Sequence, residues 1–235
     1  MDAVILDVGG VLLVPHFESV GMAFDSFGMR FDAEAAERAH YAGIRAMDAA
    51  GEDERVARAA YLAGYADAAG VPGERRDSAL SAMRRIWSGP TIDLWRQPVR
   101  GSVEGLRRLA ERGLRLGIVS NADGTIEEQL RRGRICQVGE GLGVPVLAII
   151  DSHLVGVEKP AAEIFSHALE PLGVEPARAV YVGDTVRYDV RGARAAGLLP
   201  VHFDPYELCP DRGDHAHVAR LPEMDGLLGG LAAED

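Results

Sequence analysis

Hydrophobic and polar positions along the chain fall into two regimes. Five short apolar runs rich in β-branched residues read as buried strands: AVIL (3–6), RLGIV (115–119), VLAII (146–150), AVYV (179–182) and LPVHF (199–203). Between the later runs the spacing becomes helical. SVEGLRRLAERG offers Ser102 as an N-cap and Gly113 as a stop. KPAAEIFSHALEPLG places Pro160 at a first helical position and Gly173 past the end, and VRYDVRGARAAG closes on Gly197. Strand and helix alternating in this way predict an α/β fold, with a parallel sheet covered on both faces.

Residues 15 to about 96 break the rhythm. They hold no convincing strand, but helical stretches at roughly 17–28, 32–50, 53–69 and 74–88, with GED and GVPGE as turns. The expected organisation is a Rossmann-like core made of 1–14 and 97–235, interrupted by an all-helical insertion at 15–96. The closing LLGGLAAED reads as a fraying tail.

The bulk numbers narrow the classes of function. A chain of 235 residues with 47% hydrophobic content has enough material for a sizeable core, and disorder is not a serious reading. A net charge of −11 disfavours nucleic acid or an anionic membrane surface as the main partner, but permits a locally positive site for a small anion. Two cysteines, Cys136 and Cys209, make no disulfide framework. The apolar N-terminus lacks a basic leader and carries Asp7, so it does not read as a signal peptide, and VPVLAII is too short to span a bilayer. The expectation is a soluble cytoplasmic protein, with oligomeric state left open.

Candidate chemistry lies at the strand ends. VIL runs into Asp7, GIV into Ser120 and Asn121, AII into Asp151 and Ser152, and VYVG into Asp184. In an open parallel sheet the carboxyl ends form the ligand crevice, so these groups should converge there; singly, each could instead cap the helix that follows. A further singularity is Lys159: of 25 lysines and arginines it alone is lysine.

Asp7 in DVGGVL, Ser120 in VSN, Lys159 in EKP, and Asp184 with Asp189 in GDTVRYD resemble, in order and spacing, the four motifs of the haloacid dehalogenase-like (HAD) superfamily. The helical insertion resembles its C1-type cap, and the resemblance runs from residue 3 to about 205. It implies a Mg²⁺-dependent phosphatase in which Asp7 attacks phosphorus, forms an aspartyl-phosphate and is freed by water. It implies Asp7, Gly9 (through its carbonyl), Asp184 and Asp189 as the metal site, Asp189 either through water or from just outside the ligand set. Ser120, Asn121, Lys159 and Gly10 would hold the phosphate of a small phosphorylated metabolite, such as a sugar phosphate. A compact ammonium fits between a carboxylate and a phosphoryl oxygen where a planar guanidinium would crowd the metal, which accounts for the lysine.

One position departs from that pattern. Superfamily phosphatases usually carry a second aspartate two residues after the nucleophile as general acid, and here it is Gly9. Phosphomutase chemistry is disfavoured; phosphatase chemistry is not. Dehalogenases replace the metal aspartate, and phosphonate hydrolysis needs a cap lysine, so both are disfavoured. Two alternatives stay open: a weakly catalytic protein that keeps only the phosphate site, and a HAD hydrolase of a non-phosphate substrate. His16 is a candidate proton donor or a solvent-facing loop histidine; His40 and Tyr41 lie further off on a helix of the insertion. Trp87 and Trp95 read either as an apolar wall over the substrate or as hinge packing. Cys209, His215 and His217 are zinc-type donors, but no fourth stands at the usual spacing, so their segment reads as an exposed loop leading into a last short strand.

Overall fold

The computed structural model describes residues 1–24, 32–90 and 94–231. The chain divides into two compact units, Met1–Leu12 with Pro98–Asp235, and Leu13–Gln97. In chain order the strands are β1 (Ala3–Leu6), β2 (Leu13–Pro15), β3 (Trp95–Pro98), β4 (Arg115–Ser120), β5 (Cys136–Val138), β6 (Val144–Val146), β7 (Ala148–Asp151), β8 (Ala179–Gly183), β9 (Leu199–Phe203) and β10 (Ala216–Val218). The helices are α1 (Phe17–Gly21), α2 (Ala33–Asp48), α3 (Glu54–Ala68), α4 (Arg76–Trp87), α5 (Ser102–Glu111), α6 (Ile126–Arg132), α7 (Ser152–Val155), α8 (Glu163–Leu172), α9 (Arg191–Ala195) and α10 (Met224–Leu231).

The first unit is built on a six-stranded sheet in the order β10-β9-β8-β1-β4-β7, parallel throughout. β1 lies at its middle: Leu6 stands beside Ile118 of β4 on one side and Val182 of β8 on the other. Strand order reverses between β1 and β8, the point at which parallel α/β sheets open a crevice at their carboxyl ends. Asp7 and Asp184 therefore flank that crevice from adjacent strands. One face of the sheet, through Ala3, Ile5, Val119 and Tyr181, packs on Ile164, Phe165, Ala168 and Leu172 of α8, all fully buried or nearly so.

Several local readings need correction. The apolar run at 146–150 divides: Val144–Val146 pairs with Cys136–Val138 in a small separate sheet, and β7 begins only at Ala148. Pro145 has no N–H to give a sheet interior, which suits it to this short edge pairing. Pro160 is not in the first turn of α8, which starts at Glu163; the Lys159–Pro160 bond is cis. Ser102 does not cap α5 either. Gly101 takes the cap position at φ 79, and the Ser102 hydroxyl donates to the Leu12 carbonyl at 3.3 Å.

The second unit is chiefly helical. Asp32 and Asp53 cap α2 and α3 by accepting from the amides of Ala35 and Val56, each at 2.9 Å. The two helices approach closely because Gly64 faces Ala46: a Cβ there would lie 2.7 Å from the Ala46 methyl. The reading of residues 15–96 as free of strands fails at its margins, since β2 and β3 form a two-stranded sheet. Both are short and β2 ends in proline, so neither carried an alternating pattern. The expected helix at 17–28 stops at Gly21, and its residues 25–28 lie outside the described residues, as does the end of the tail. No helix among the described residues is long and apolar enough to cross a membrane.

His40 lies fully buried on α2, its Nδ1 2.8 Å from the Tyr61 hydroxyl. Burial pushes its pKa down to about 3, with Glu37 pulling the other way. A histidine depressed in the folded state contributes its full stability above the ordinary value near 6.5 and loses it as pH falls towards the folded value. The second unit should therefore weaken between roughly pH 6.5 and 4. Both tryptophans of the chain, Trp87 and Trp95, belong to this unit. Tryptophan fluorescence in urea titrations at stepped pH reads the effect, and His40→Gln should flatten the slope. An equal slope in wild type and variant would remove His40 as its cause.

Candidate active site

Asp7 follows β1 directly and is 7% exposed. The Val8 amide donates to its Oδ1 at 2.7 Å, and the Lys159 ammonium meets Oδ2 at 2.9 Å. Lys159, only 2% exposed, also contacts Asp189 Oδ1 at 2.7 Å and donates to the Tyr181 hydroxyl at 2.9 Å. An ammonium has three hydrogens, and here three acceptors stand around it. A guanidinium carries its donors in a wide plane and could not reach this set from the same stem.

Asp189 is held from both ends. Its Oδ1 takes Lys159, with the Tyr181 hydroxyl at 3.1 Å, while Oδ2 accepts from the Thr185 amide at 2.9 Å and the Thr185 hydroxyl at 2.5 Å. The turn that presents it is widened, with the Val190 amide reaching back five residues to the Thr185 carbonyl at 3.2 Å. Such wide turns recur at functional sites. Tyr181, fully buried in β8, also lies 3.1 Å from the Val119 carbonyl of β4 and so braces the lysine from beneath the crevice.

Lys159 is also fixed by its backbone. The Asn121 side chain donates to the Lys159 carbonyl at 3.0 Å and accepts from the Lys159 amide at 2.8 Å. The structure therefore adds to Asn121 a clamp on the lysine-bearing loop. Ser120 ends β4 and is 4% exposed. Asp151 and Ser152, also at a strand end, follow the capping alternative. Asp151 accepts from the amides of His153, Gly124 and Ile126, and Ser152 from that of Ala122. Gly9 is half-buried. Gly10 adopts φ 69, and a Cβ on it would collide with the Asp184 carboxylate, so only glycine lets the two segments meet.

Asp7, Asp184 and Asp189 each offer an oxygen, and the three lie within 4.8 Å of one another. Three buried carboxylates around one ammonium leave a formal deficit of two positive charges. Burial pushes Asp7 up to about 7; Lys159 opposes this, and Asp189 and Asp184 add to it. Burial works against charge on Asp189 too, but Lys159 and the Thr185 bonds outweigh it and hold Asp189 below the usual carboxylate range. Lys159 is raised, because Asp189 and Asp7 overcome the lowering effect of burial. The ammonium thus belongs more to Asp189 than to Asp7. An all-oxygen, doubly negative donor set in a closed crevice fits a hard divalent cation. Each Asp189 oxygen already has two partners, whereas each Asp7 oxygen has one, so Asp7 and Asp184 are the carboxylates better placed for direct ligation.

Other sequence candidates lie elsewhere. His16 belongs to the second unit, where Arg96 stands 3.2 Å from its Nδ1. A guanidinium only donates, so that nitrogen is bare and the ring neutral; burial and Arg96 hold its pKa below the ordinary value. His40 and Tyr41 are buried in the same unit. Trp87 and Trp95, with Tyr61, Ile44 and Met47, line a cavity of about 480 Å³ inside that unit.

Sequence reasoning passed over Tyr181, Thr185 and the Asn121 clamp. A tyrosine in an otherwise aliphatic central strand was the available signal for the first, since a buried hydroxyl needs a partner.

Comparisons with known proteins bear on the family of the chain. Residues 1–197 match the family of haloacid dehalogenase-like hydrolases. Over 141 residues the chain is 36% identical to haloacid dehalogenase-like hydrolase domain-containing protein 3 of Bos taurus, covering 57% of this chain and 52% of that protein. It is 35% identical over 107 residues to a glyceraldehyde 3-phosphate phosphatase of Methanopyrus kandleri, covering 46% and 43% of the two chains. The chain thus spans about half the length of the curated relatives it matches. Among solved structures, a HAD phosphatase from Thermococcus onnurineus superposes with a TM-score of 0.57 at 23% identity, covering 98% of this chain and 99% of that one. With four ordered motifs gathered at the carboxyl edge of one parallel sheet and a family match over most of the sequence, the chain belongs to the haloacid dehalogenase-like hydrolases.

Proposed function

We propose that this protein is a Mg²⁺-dependent phosphatase of a small phosphorylated metabolite, working through an aspartyl-phosphate on Asp7. The observation that carries the proposal is the buried charge deficit: three carboxylates, Asp7, Asp184 and Asp189, stand around the one ammonium of Lys159. Bound Mg²⁺ would be held by Asp7, the Gly9 carbonyl and Asp184, and would neutralise charge between the carboxylate and the phosphoryl group.

In the first step an Asp7 oxygen attacks phosphorus, and the bond from phosphorus to the ester oxygen breaks with its electron pair leaving on that oxygen. In the second, water attacks phosphorus, the bond to Asp7 breaks with its electron pair returning to the carboxylate, and inorganic phosphate leaves; the proton lost by the water passes to solvent and balances the one that the departed ester oxygen takes up. Lys159 keeps Asp7 oriented and partly neutralised throughout. To reach a phosphoryl oxygen as well it would give up Tyr181, the one uncharged acceptor of its three. Ser120 and the amides of Gly10 and Asn121 are assigned to the phosphoryl oxygens.

The helical second unit is assigned the role of cap. Gly9 supplies no proton to the leaving oxygen, which then departs with more negative charge. Substrates with stabilised leaving groups, sugar 1-phosphates first among them, should therefore be preferred, since general acid help is typically worth about 10²–10⁴-fold.

A phosphate-release screen with and without Mg²⁺ tests the proposal. Sugar 1-phosphates and aryl phosphates should turn over faster than primary alkyl phosphates, and chelation should stop all of them. Asp7→Asn should abolish release without unfolding the chain. Near wild-type release by Asp7→Asn would overturn the mechanism.

Lys159→Arg should be nearly as damaging as Lys159→Ala, because three convergent acceptors demand a compact cation. The expected loss in kcat is on the order of 10²-fold or more. Steady-state kinetics of the two variants decide it: an arginine variant with wild-type kcat removes the shape argument.

A further inference from the structure

The segment after β9 contains a second cluster of ligand-type side chains, separate in residues from the carboxylate site. His202, Cys209, His215 and His217 each offer one donor atom, and the four atoms lie within 4.8 Å of one another. The fourth donor absent from the linear spacing is His202, supplied by β9. β9 and β10 run parallel with His202 opposite His217, so the two imidazoles share one face of the sheet edge. The reading of this segment as an exposed loop leading into a last short strand is therefore corrected at its centre: Cys209 is 6% exposed, and the His215 side chain is fully buried.

The loop is built to present these groups. Asp204 accepts from the amides of Leu208 at 2.8 Å and Cys209 at 3.0 Å, folding the chain so that the thiol turns inward. Arg194 grips the Asp214 carboxylate at 2.7 Å and its carbonyl at 2.5 Å, fixing the residue before His215.

In the neutral rings that a metal requires, proton positions follow from the partners. His202 Nε2 faces the Asp184 carbonyl at 3.0 Å, which can only accept, so Nε2 carries the hydrogen and Nδ1 is bare. His215 Nδ1 faces the Asp214 carboxylate at 3.3 Å, so its Nε2 is bare. These two bare nitrogens point at each other across 3.1 Å. With both rings neutral, two lone pairs at that distance repel unless a cation, a shared proton or a metal ion, lies between them. His217 is nine-tenths buried, and neither of its ring nitrogens has a hydrogen-bond partner. The Asp204 carboxylate, 3.7 Å from its Nδ1, is beyond hydrogen-bonding range.

We infer that His202, Cys209, His215 and His217 form a structural zinc site of the CysHis₃ type. Tetrahedral zinc, with nitrogen at about 2.0–2.1 Å and sulfur at about 2.3 Å, spaces its donors roughly 3.3 Å (N to N) and 3.6 Å (N to S) apart. The observed separations, 3.1 Å from His202 Nδ1 to His215 Nε2 and 3.8 Å from there to Cys209 Sγ, each lie within about 0.2 Å of the corresponding edge. Three neutral imidazoles and one thiolate are the required ligand states, and binding releases the Cys209 proton. Four protein donors leave no open position, so the role is to pin the loop. The outer partners, Asp184 carbonyl on His202 and Asp214 on His215, orient the ligands as metal-site second neighbours do.

The test uses the full chain, purified without a polyhistidine tag from zinc-supplemented or cobalt-supplemented cells and then gel-filtered. About one zinc per chain should be retained and should also be retained by Asp184→Asn, which separates this site from the carboxylate site. The cobalt form should show tetrahedral visible bands and a thiolate charge-transfer band, and the latter should vanish in Cys209→Ser. Asp214→Ala should weaken zinc by about 10–100-fold. X-ray absorption of the wild-type zinc protein should give one sulfur and three nitrogens, and this holds whether or not any variant folds. Failure of the wild type to retain zinc, a metal shell without sulfur, or loss of the zinc in Asp184→Asn would each overturn the inference.

Discussion

The molecule is organised around a shared cation. Lys159 stands in a nearly dry crevice with Asp7 on one side and Asp189 on the other, 2.9 and 2.7 Å away. Burying such charges costs several kcal/mol per ion unless geometry and further hydrogen bonds are good. The surroundings supply both. Thr185 saturates the far oxygen of Asp189, Tyr181 takes the third ammonium hydrogen, and Asn121 fixes the lysine backbone by two bonds. Asp7 is left under-neutralised, and a group in that state gains most from a divalent cation or an electrophile.

That arrangement needs the sheet topology. β1 must lie between β4 and β8 for Asp7, Ser120 and Asp184 to emerge from neighbouring strand ends, and Tyr181 reaches the Val119 carbonyl across the same layer. Gly10 lets the Asp184 carboxylate come up against the loop after β1. On its far side Asp184 is tied through its carbonyl to His202, so the turn carrying one proposed metal ligand touches the proposed zinc cluster. The two sites are chemically opposite, one all oxygen and one nitrogen and sulfur, which is how a protein keeps a hard and a softer cation apart.

Much of this was legible in the sequence, for identifiable reasons. The core strands β1, β4, β8 and β9 are largely apolar runs because they are buried on both faces, and the polar residues that end or follow β1, β4 and β8 point to the crevice. Lys159 stood out because the chain otherwise uses arginine. What stayed hidden depends on contacts between residues far apart in the chain. Nothing local to Asn121 says that its amide will clamp residue 159, and nothing local to His202 says that it completes a set lying seven to fifteen residues on. Thr185 and Tyr181 are ordinary strand and turn residues until Asp189 is placed beside them. β2 and β3 escaped because strands of three and four residues carry too little periodicity to register.

The central claim is that the under-neutralised Asp7 is a nucleophile, rather than a general base or a purely structural ligand. The most direct measurement is chemical trapping of the wild-type protein during turnover. Borohydride reduces an acyl phosphate but not a free carboxylate, so a trapped Asp7 becomes a homoserine that peptide mass spectrometry can locate. The account predicts that Asp7 alone is converted, and only when substrate and divalent metal are both present. Continued phosphate release with Asp7 unmodified, or reduction at a different carboxylate, would contradict it.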